Sequence, residues 1–212
     1  MAINLTKGQT IDLRKDTNDL DQITIGLGWK VREKKKSLLG GLFGAKDDAE
    51  FDLDAIAFLL DENGQVRDLG KEKLVGGDIV FFNSMKHPTG AVTHSGDERK
   101  GGTGANDDEQ IVVKLNTMPA KYHRILFVVC IYKGIELKQH FGQVESAYIR
   151  AVDGKGKEMA RYSLSSESAY DGQCTMVFGE VYRRDGGWKF RAIGDAHPFD
   201  SFVPLLKSHV QH

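Results

Sequence analysis

Proline is scarce in this chain, 4 among 212 residues, against 24 glycines. That ratio excludes a proline-rich linker and suits tight turns between strands. Cysteine is scarcer still. Cys130 and Cys174 are the only two, too few for a disulfide framework, and a reducing cytosol fits them. Long hydrophobic runs are missing, since no segment approaches the roughly 18 to 20 apolar residues a bilayer span needs. Met1-Ala2-Ile3-Asn4-Leu5-Thr6-Lys7 does not lead a basic region into an apolar core, so no secretory signal is expected. Charge of one sign is not in excess either: 29 basic and 30 acidic groups give a net −1. A general attraction to nucleic acid is thereby excluded, and any electrostatic function must be local. The expected location is cytoplasmic.

Two chemistries are missing as motifs. Gly154-Lys155-Gly156-Lys157 reads as a turn, and no G-x-x-x-x-G-K-[ST] cradle exists for nucleotide phosphates. His87, His94, His123 and His140 show neither H-E-x-x-H spacing nor neighbouring cysteines, so a zinc site is not expected.

What is present is a series of short strands. Ile23 to Trp29 alternates, and Asp54 to Leu60 runs apolar into Asp61-Glu62-Asn63-Gly64, a hairpin-turn signal. Ile79 to Phe82 is short and apolar, Ile111 to Leu115 alternates, and Ile125 to Tyr132 reads as a strand buried on both faces. Ala147 to Val152 turns through Asp153-Gly154-Lys155-Gly156 into Met159 to Leu164. Thr175 to Arg183, Asp185-Gly186-Gly187 and Trp188 to Ile193 form the clearest hairpin. Helix is limited to a turn near Pro119 and a short C-terminal piece with Pro204 in its first turn. The expectation is an all-β protein, an antiparallel β-sandwich with few short helices, forming one domain over 1–212.

Acidic residues gather at two strand–loop junctions. Asp52 and Asp54 precede one strand, on one face and roughly 7 Å apart by strand rise. Asp97 begins a glycine-spaced stretch that ends in Asp107-Asp108-Glu109. Asn83 and Asp97 flank one connection and both offer oxygen. Calcium takes six to eight oxygens at about 2.3–2.6 Å, and this inventory suffices. Three readings stay open on the residues alone: solvated loop tips paired with groups such as Arg99 and Lys100, a calcium site, or a catalytic carboxylate pair. Asp61-Glu62-Asn63-Gly64-Gln65-Val66-Arg67 is not an EF-hand, because its glycine comes too early. His94 reads as a structural hydrogen-bonding residue; with Ser95 and Asp97 it is too close in sequence to form a triad.

One segment breaks the strand pattern. Residues 30–50 combine Lys34, Lys35 and Lys36 with an apolar tip that includes Leu42 and Phe43. This loop is the candidate for docking to an anionic membrane surface or a partner protein. The hairpin around Tyr182 to Arg191 alternates aromatic and basic residues, and a solvated sheet explains it without nucleic acid.

The ordered series Gly26-Leu27-Gly28-Trp29, Phe51-Asp52-Leu53-Asp54-Ala55, Val80-Phe81-Phe82-Asn83, His94-Ser95-Gly96-Asp97, Asp107-Asp108-Glu109-Gln110-Ile111, Phe141-Gly142-Gln143-Val144, Phe178-Gly179-Glu180-Val181-Tyr182 and Trp188-Lys189-Phe190-Arg191 resembles the TerD-domain family over nearly the whole chain. The resemblance implies a bacterial tellurite-resistance and stress-response protein, a calcium-binding β-sandwich that is not an enzyme. It implies that Asp52, Asp54, Asp107, Asp108 and Glu109, with Asn83 and Asp97 beside them, hold one or two calcium ions. The partners it implies are other Ter-type stress proteins and a TerC-like membrane protein, which would bring the chain to the inner face of the membrane. Two features depart from the family pattern: Ala105-Asn106 stands where a glycine precedes Asp-Asp-Glu, and 30–50 replaces a short loop. The alternative function is a metal-independent adaptor that recruits its partner through that loop.

Overall fold

The structure, a computed structural model, describes residues 2–13, 18–31, 51–96, 107–165 and 168–211. Two six-stranded sheets face each other. The first holds β1 (Ile3–Leu5), β10 (Glu158–Ser165), β9 (Val144–Val152), β3 (Ile23–Val31), β7 (Glu109–Val113) and β6 (Val92–His94) in that spatial order. The second holds β2 (Thr10–Asp12), β12 (Gly187–His197), β11 (Thr175–Arg184), β8 (Arg124–Ile131), β4 (Leu53–Leu60) and β5 (Ile79–Val80). The helices α1 (Gly134–Leu137) and α2 (Val203–Lys207) are short. The β-sandwich expected from sequence is the architecture found.

Alternation explains the layers. Leu53, Ala55, Ala57 and Leu59 of β4 and Ile23, Ile25 and Leu27 of β3 point into one core between the sheets. Ile56, Phe58 and Leu60 point the other way, yet they are just as buried. The C-terminal segment covers them: Phe202 packs edge-on against Phe58 at 6.0 Å and Phe81 at 5.4 Å. This second layer is why β4 and β8 read as continuous apolar runs. Pro204 lies in the first turn of α2, where it forfeits no helical hydrogen bond.

The β11–β12 hairpin closes through Asp185 and Gly186 at φ 53° and 73°, the two-residue turn that matches strand twist. Two features differ from the sequence reading. β1 pairs with β10 in parallel, so the sandwich is antiparallel but for that edge. The Asn63-Gly64 turn does reverse the chain, but the partner of β4 on that side is β5, reached after an excursion through 65–78. The excursion is held by a buried carboxylate: Asp78 accepts the N–H groups of Arg67 at 3.1 Å and Asp68 at 2.9 Å. The Asp61 carboxylate accepts the N–H groups of Asn63 and Gln65 and pairs with Arg67, so it is consumed inside its own turn. The docking candidates Lys34, Lys35, Lys36, Leu42 and Phe43 lie outside the described residues.

Candidate functional site

The two acidic segments begin strands that belong to different sheets, β4 and β7, and one buried side chain ties them. Alternation along β7 sends Glu109 inward with Ile111 and Val113. Its Oε2 accepts the backbone N–H of Ala55 on β4 at 2.5 Å. The geometry of the ladder explains why that N–H is available. Leu59 donates on the β5 side of β4, to the Asp78 carbonyl, and Ala55, four residues earlier, faces the same side. β5 pairs only with Ala57 and Phe58, so the carboxylate of Glu109 takes over where the strand ends. His94 approaches the same oxygen with Nε2 at 3.5 Å, while its Nδ1 accepts the N–H of Gly96 at 3.0 Å. His94 thereby orders the start of the loop that follows β6, the structural role its sequence context suggests.

The neighbours of Glu109 go elsewhere. Asp108 extends the β3–β7 ladder by side chain: its Oδ2 accepts the Trp29 N–H at 2.9 Å, and its own N–H donates to the Leu27 carbonyl at 2.8 Å. Asp107 turns to the outer face of the first sheet. There its Oδ1 accepts from Tyr148 Oη at 3.0 Å and Arg150 Nε at 2.7 Å. Its Oδ2 accepts from Arg150 Nη2 at 3.0 Å and Gln110 Nε2 at 3.2 Å. The pair raises the Arg150 guanidinium above its ordinary pKa through the hydrogen bond to Asp107, and burial beside Asp107 pushes the Tyr148 phenol up to about 12.

On the other sheet, Asp54 sits opposite Cys130 in register, on the face away from Leu53 and Ala55. Burial chiefly, then the charges of Asp54 and Asp200, pushes the Cys130 thiol up to about 12, so it is no nucleophile at neutral pH. The Asp52 carbonyl accepts the Tyr132 N–H at 2.8 Å. Asn83 is exposed in the Phe81–Ser84 turn, and Asp97 lies outside the described residues. The sandwich thus brings the starts of β4 and β7 to one end. Among the described residues, however, it gathers no three His, Cys, Asp or Glu side chains around one point.

Asp52, Asp54, Asp108 and Glu109 supply the hard carboxylate oxygens calcium prefers. Asp108 and Glu109 are also fixed in orientation by the N–H groups they accept. Asp107 fits less well, because four donors already meet its two oxygens.

Other polar centres have no acidic-cluster signal in sequence. Asp78 is buried against His87 (3.2 Å) and Tyr122 (2.5 Å). Burial works to raise its carboxyl, but the hydrogen bonds from His87, Tyr122 and two backbone N–H groups outweigh it and hold the pKa below the ordinary value. Glu180 is buried on the outer face of the second sheet between Arg124 at 3.0 Å and Arg191 at 2.7 Å. A pocket of about 280 Å³ lies at the opposite end of β4, lined by Asp61, Glu62, Arg67, Lys121, Tyr122 and His123. Gly26 and Gly28 were the available signal for the Asp107 cluster: spaced by two on one strand face, they leave a trough that Asp107 and Tyr148 fill.

A two-sheet β-sandwich whose acidic end is closed by a cross-sheet carboxylate is the class of protein this fold and site define. The chain belongs to the TerD domain family of tellurite-resistance and stress-response proteins, whose model matches residues 1–208. It is 50% identical over 215 residues to tellurium resistance protein TerX of Serratia marcescens, covering 99% of this chain and 100% of that protein. It is 37% identical over 196 residues to stress response protein SCP2 of Bacillus subtilis, with 92% of each chain covered. A solved structure, a homologue of telluride resistance protein (TerD) from Streptomyces coelicolor, superposes with a TM-score of 0.60 over 87% of this chain and 94% of its own, at 18% identity. That last likeness concerns the fold.

Proposed function

We propose that this protein is a calcium-binding, non-catalytic module that acts as a binding or scaffold protein in tellurite resistance and the stress response. The observation that carries the reading is the bond from Ala55 N–H to Glu109, which joins the starts of β4 and β7 across the two sheets. Asp52 and Asp54 at the start of β4 and Asp108 and Glu109 at the start of β7 then lie at one end of the sandwich. Calcium bound there would neutralise carboxylates that repel one another when brought close. The names of the relatives, tellurium resistance protein TerX and stress response protein SCP2, support the cellular role. No helix of the described residues is long and apolar enough to cross a membrane.

Calcium titration followed by calorimetry and by thermal melting tests this. At calcium 100-fold above its dissociation constant, the fold should gain about 2.7 kcal/mol. A melting temperature identical in chelator and in millimolar calcium, with no heat of binding, would overturn the calcium reading.

A further inference from the structure

The family resemblance counts Asp107, Asp108 and Glu109 together as calcium ligands. We infer instead that Asp107 is a positioning residue, the anchor that fixes the Asp108–Glu109 arm to the outer face of the first sheet through Arg150. The inference rests on the calcium reading only for what the arm does; the anchor itself stands on geometry.

Four facts carry it. β7 begins only at Glu109, and the bend at Asp108 just before it carries Asp107 to the face of the sheet opposite Glu109. Here Glu109 enters the core while Asp107 takes the outer face. The Asp107 carboxylate forms a bidentate pair with Arg150 and accepts from Tyr148 and Gln110 as well, so each oxygen has two donors. That is close to the full acceptor capacity of a carboxylate. Its side chain is 1% exposed, and a metal would have to displace a guanidinium to reach it. Gly26, finally, is shaped for this carboxylate: a Cβ there would overlap the Asp107 carboxylate. Arg150 is braced in turn by Glu158 at 3.1 Å. The site is built for an acid–guanidinium pair, and what it gives the acidic end is direction. With Asp107 pinned outward, the next two residues reach Trp29 and Ala55.

Arg150 cannot ligate calcium, and this makes the inference testable. Asp107→Asn, Arg150→Met and the double variant are compared with wild type by melting in chelator and by calcium calorimetry. If Asp107 acts through Arg150, both single variants lower the melting temperature in chelator by about 4–10 °C, and the double variant falls no further than the worse single. Any loss of calcium affinity is then shared by Asp107→Asn and Arg150→Met alike. If Asp107 were a ligand, Asp107→Asn would weaken calcium binding while Arg150→Met preserved or strengthened it, and Asp107→Asn would leave the chelator melting temperature unchanged or higher. That pattern overturns the inference. Tyr148→Phe keeps the ring and removes one bond, so it reports a smaller drop even where a stronger variant does not fold. The chelator arm reads the anchor whether or not wild type binds calcium, so failure of the anchor and failure of the calcium reading are told apart.

Discussion

The two outer faces of the sandwich solve one problem in opposite ways. Where β4 and β8 lie, the outer face of the second sheet is apolar, with Ile56, Phe58, Leu126 and Val128 buried beneath Phe81, Phe202, Leu205 and Leu206. The outer face of the first sheet is a half-buried ladder of charge and aromatic ring, in which Asp107, Arg150, Glu158 and Arg161 pair in sequence and the Arg161 guanidinium stacks 4.1 Å over Tyr148. Where a polypeptide segment covers the sheet, burial of apolar area stabilises it. Where none of the described residues does, the strands must hold their own outer surface, and paired charges with shape-matched glycines do so at lower energetic return per residue. Mutations on the covered face should therefore be costly, and those on the ladder graded by how deeply each partner lies.

The sharpest break of that comparison is Phe58→Ala. Phe58 is fully buried between β4 and the C-terminal cover, and the loss expected in urea-induced unfolding is about 4 kcal/mol. Next comes Asp78→Asn, which strips charge from the buried acceptor shared by His87 and Tyr122; about 3 kcal/mol should be lost. Its pH signature has a definite sign. The folded pKa of Asp78 is depressed, so its contribution is present above the unfolded value near 4 and disappears as pH falls through the folded one. Wild-type stability should decline on acidification below about pH 4, and the variant should decline less. An equally steep acid limb in both would show that Asp78 is not the group responsible.

On the ladder, Gly26→Ala should cost about 2 kcal/mol, because the added methyl meets the Asp107 carboxylate. Gly26→Ala made in an Asp107→Ala background should cost nothing beyond the loss from Asp107→Ala itself, which would locate the clash. At alkaline pH the half-buried phenol of Tyr148, raised to about 12, favours the folded state below the unfolded value near 10 and loses that contribution between about 10 and 12. Tyr148→Phe should flatten that stretch of the stability profile. The smallest effect is expected of Arg161→Ala, whose partly exposed pair with Glu158 is worth about 0.5–1 kcal/mol. A larger loss there would mean that stacking on Tyr148, not the ion pair, holds the rung.

Much of the fold was legible. The period-two pattern of β3 and β7, the continuous apolar runs of β4 and β8, and the glycine turns at 153–156 and 185–187 each describe an element found. The parallel β1 edge was not, since three residues carry no direction. The 65–78 excursion was hidden because its organiser, Asp78, is a lone acid in sequence and a hub only in space. The site was half legible. Glycine spacing and acidic residues marked the end of the sandwich where β4 and β7 start. The alternation rule that put Asp52 and Asp54 on one face would also place Asp107 with Glu109, but the bend at Asp108 separates them, and Arg150, more than forty residues away in sequence, gives no local hint that it claims Asp107. Asp97 and the 32–50 segment lie outside the described residues.

The placement of β1 and β2 bears on the order of events during synthesis. They are the outermost strands of their respective sheets, and their partners are β10 and β12. Leu5 meets Tyr162 and Ile11 meets Phe190, residues that leave the ribosome long after it. β1 and β2, made before their partners, are therefore among the last of the described strands to find their places, and until they do, β10 and β12 each present an unpaired margin. A nascent chain of this kind depends on its final hairpin to bring its beginning home, and a truncation that removes β12 should leave residues 10–12 without a sheet to join.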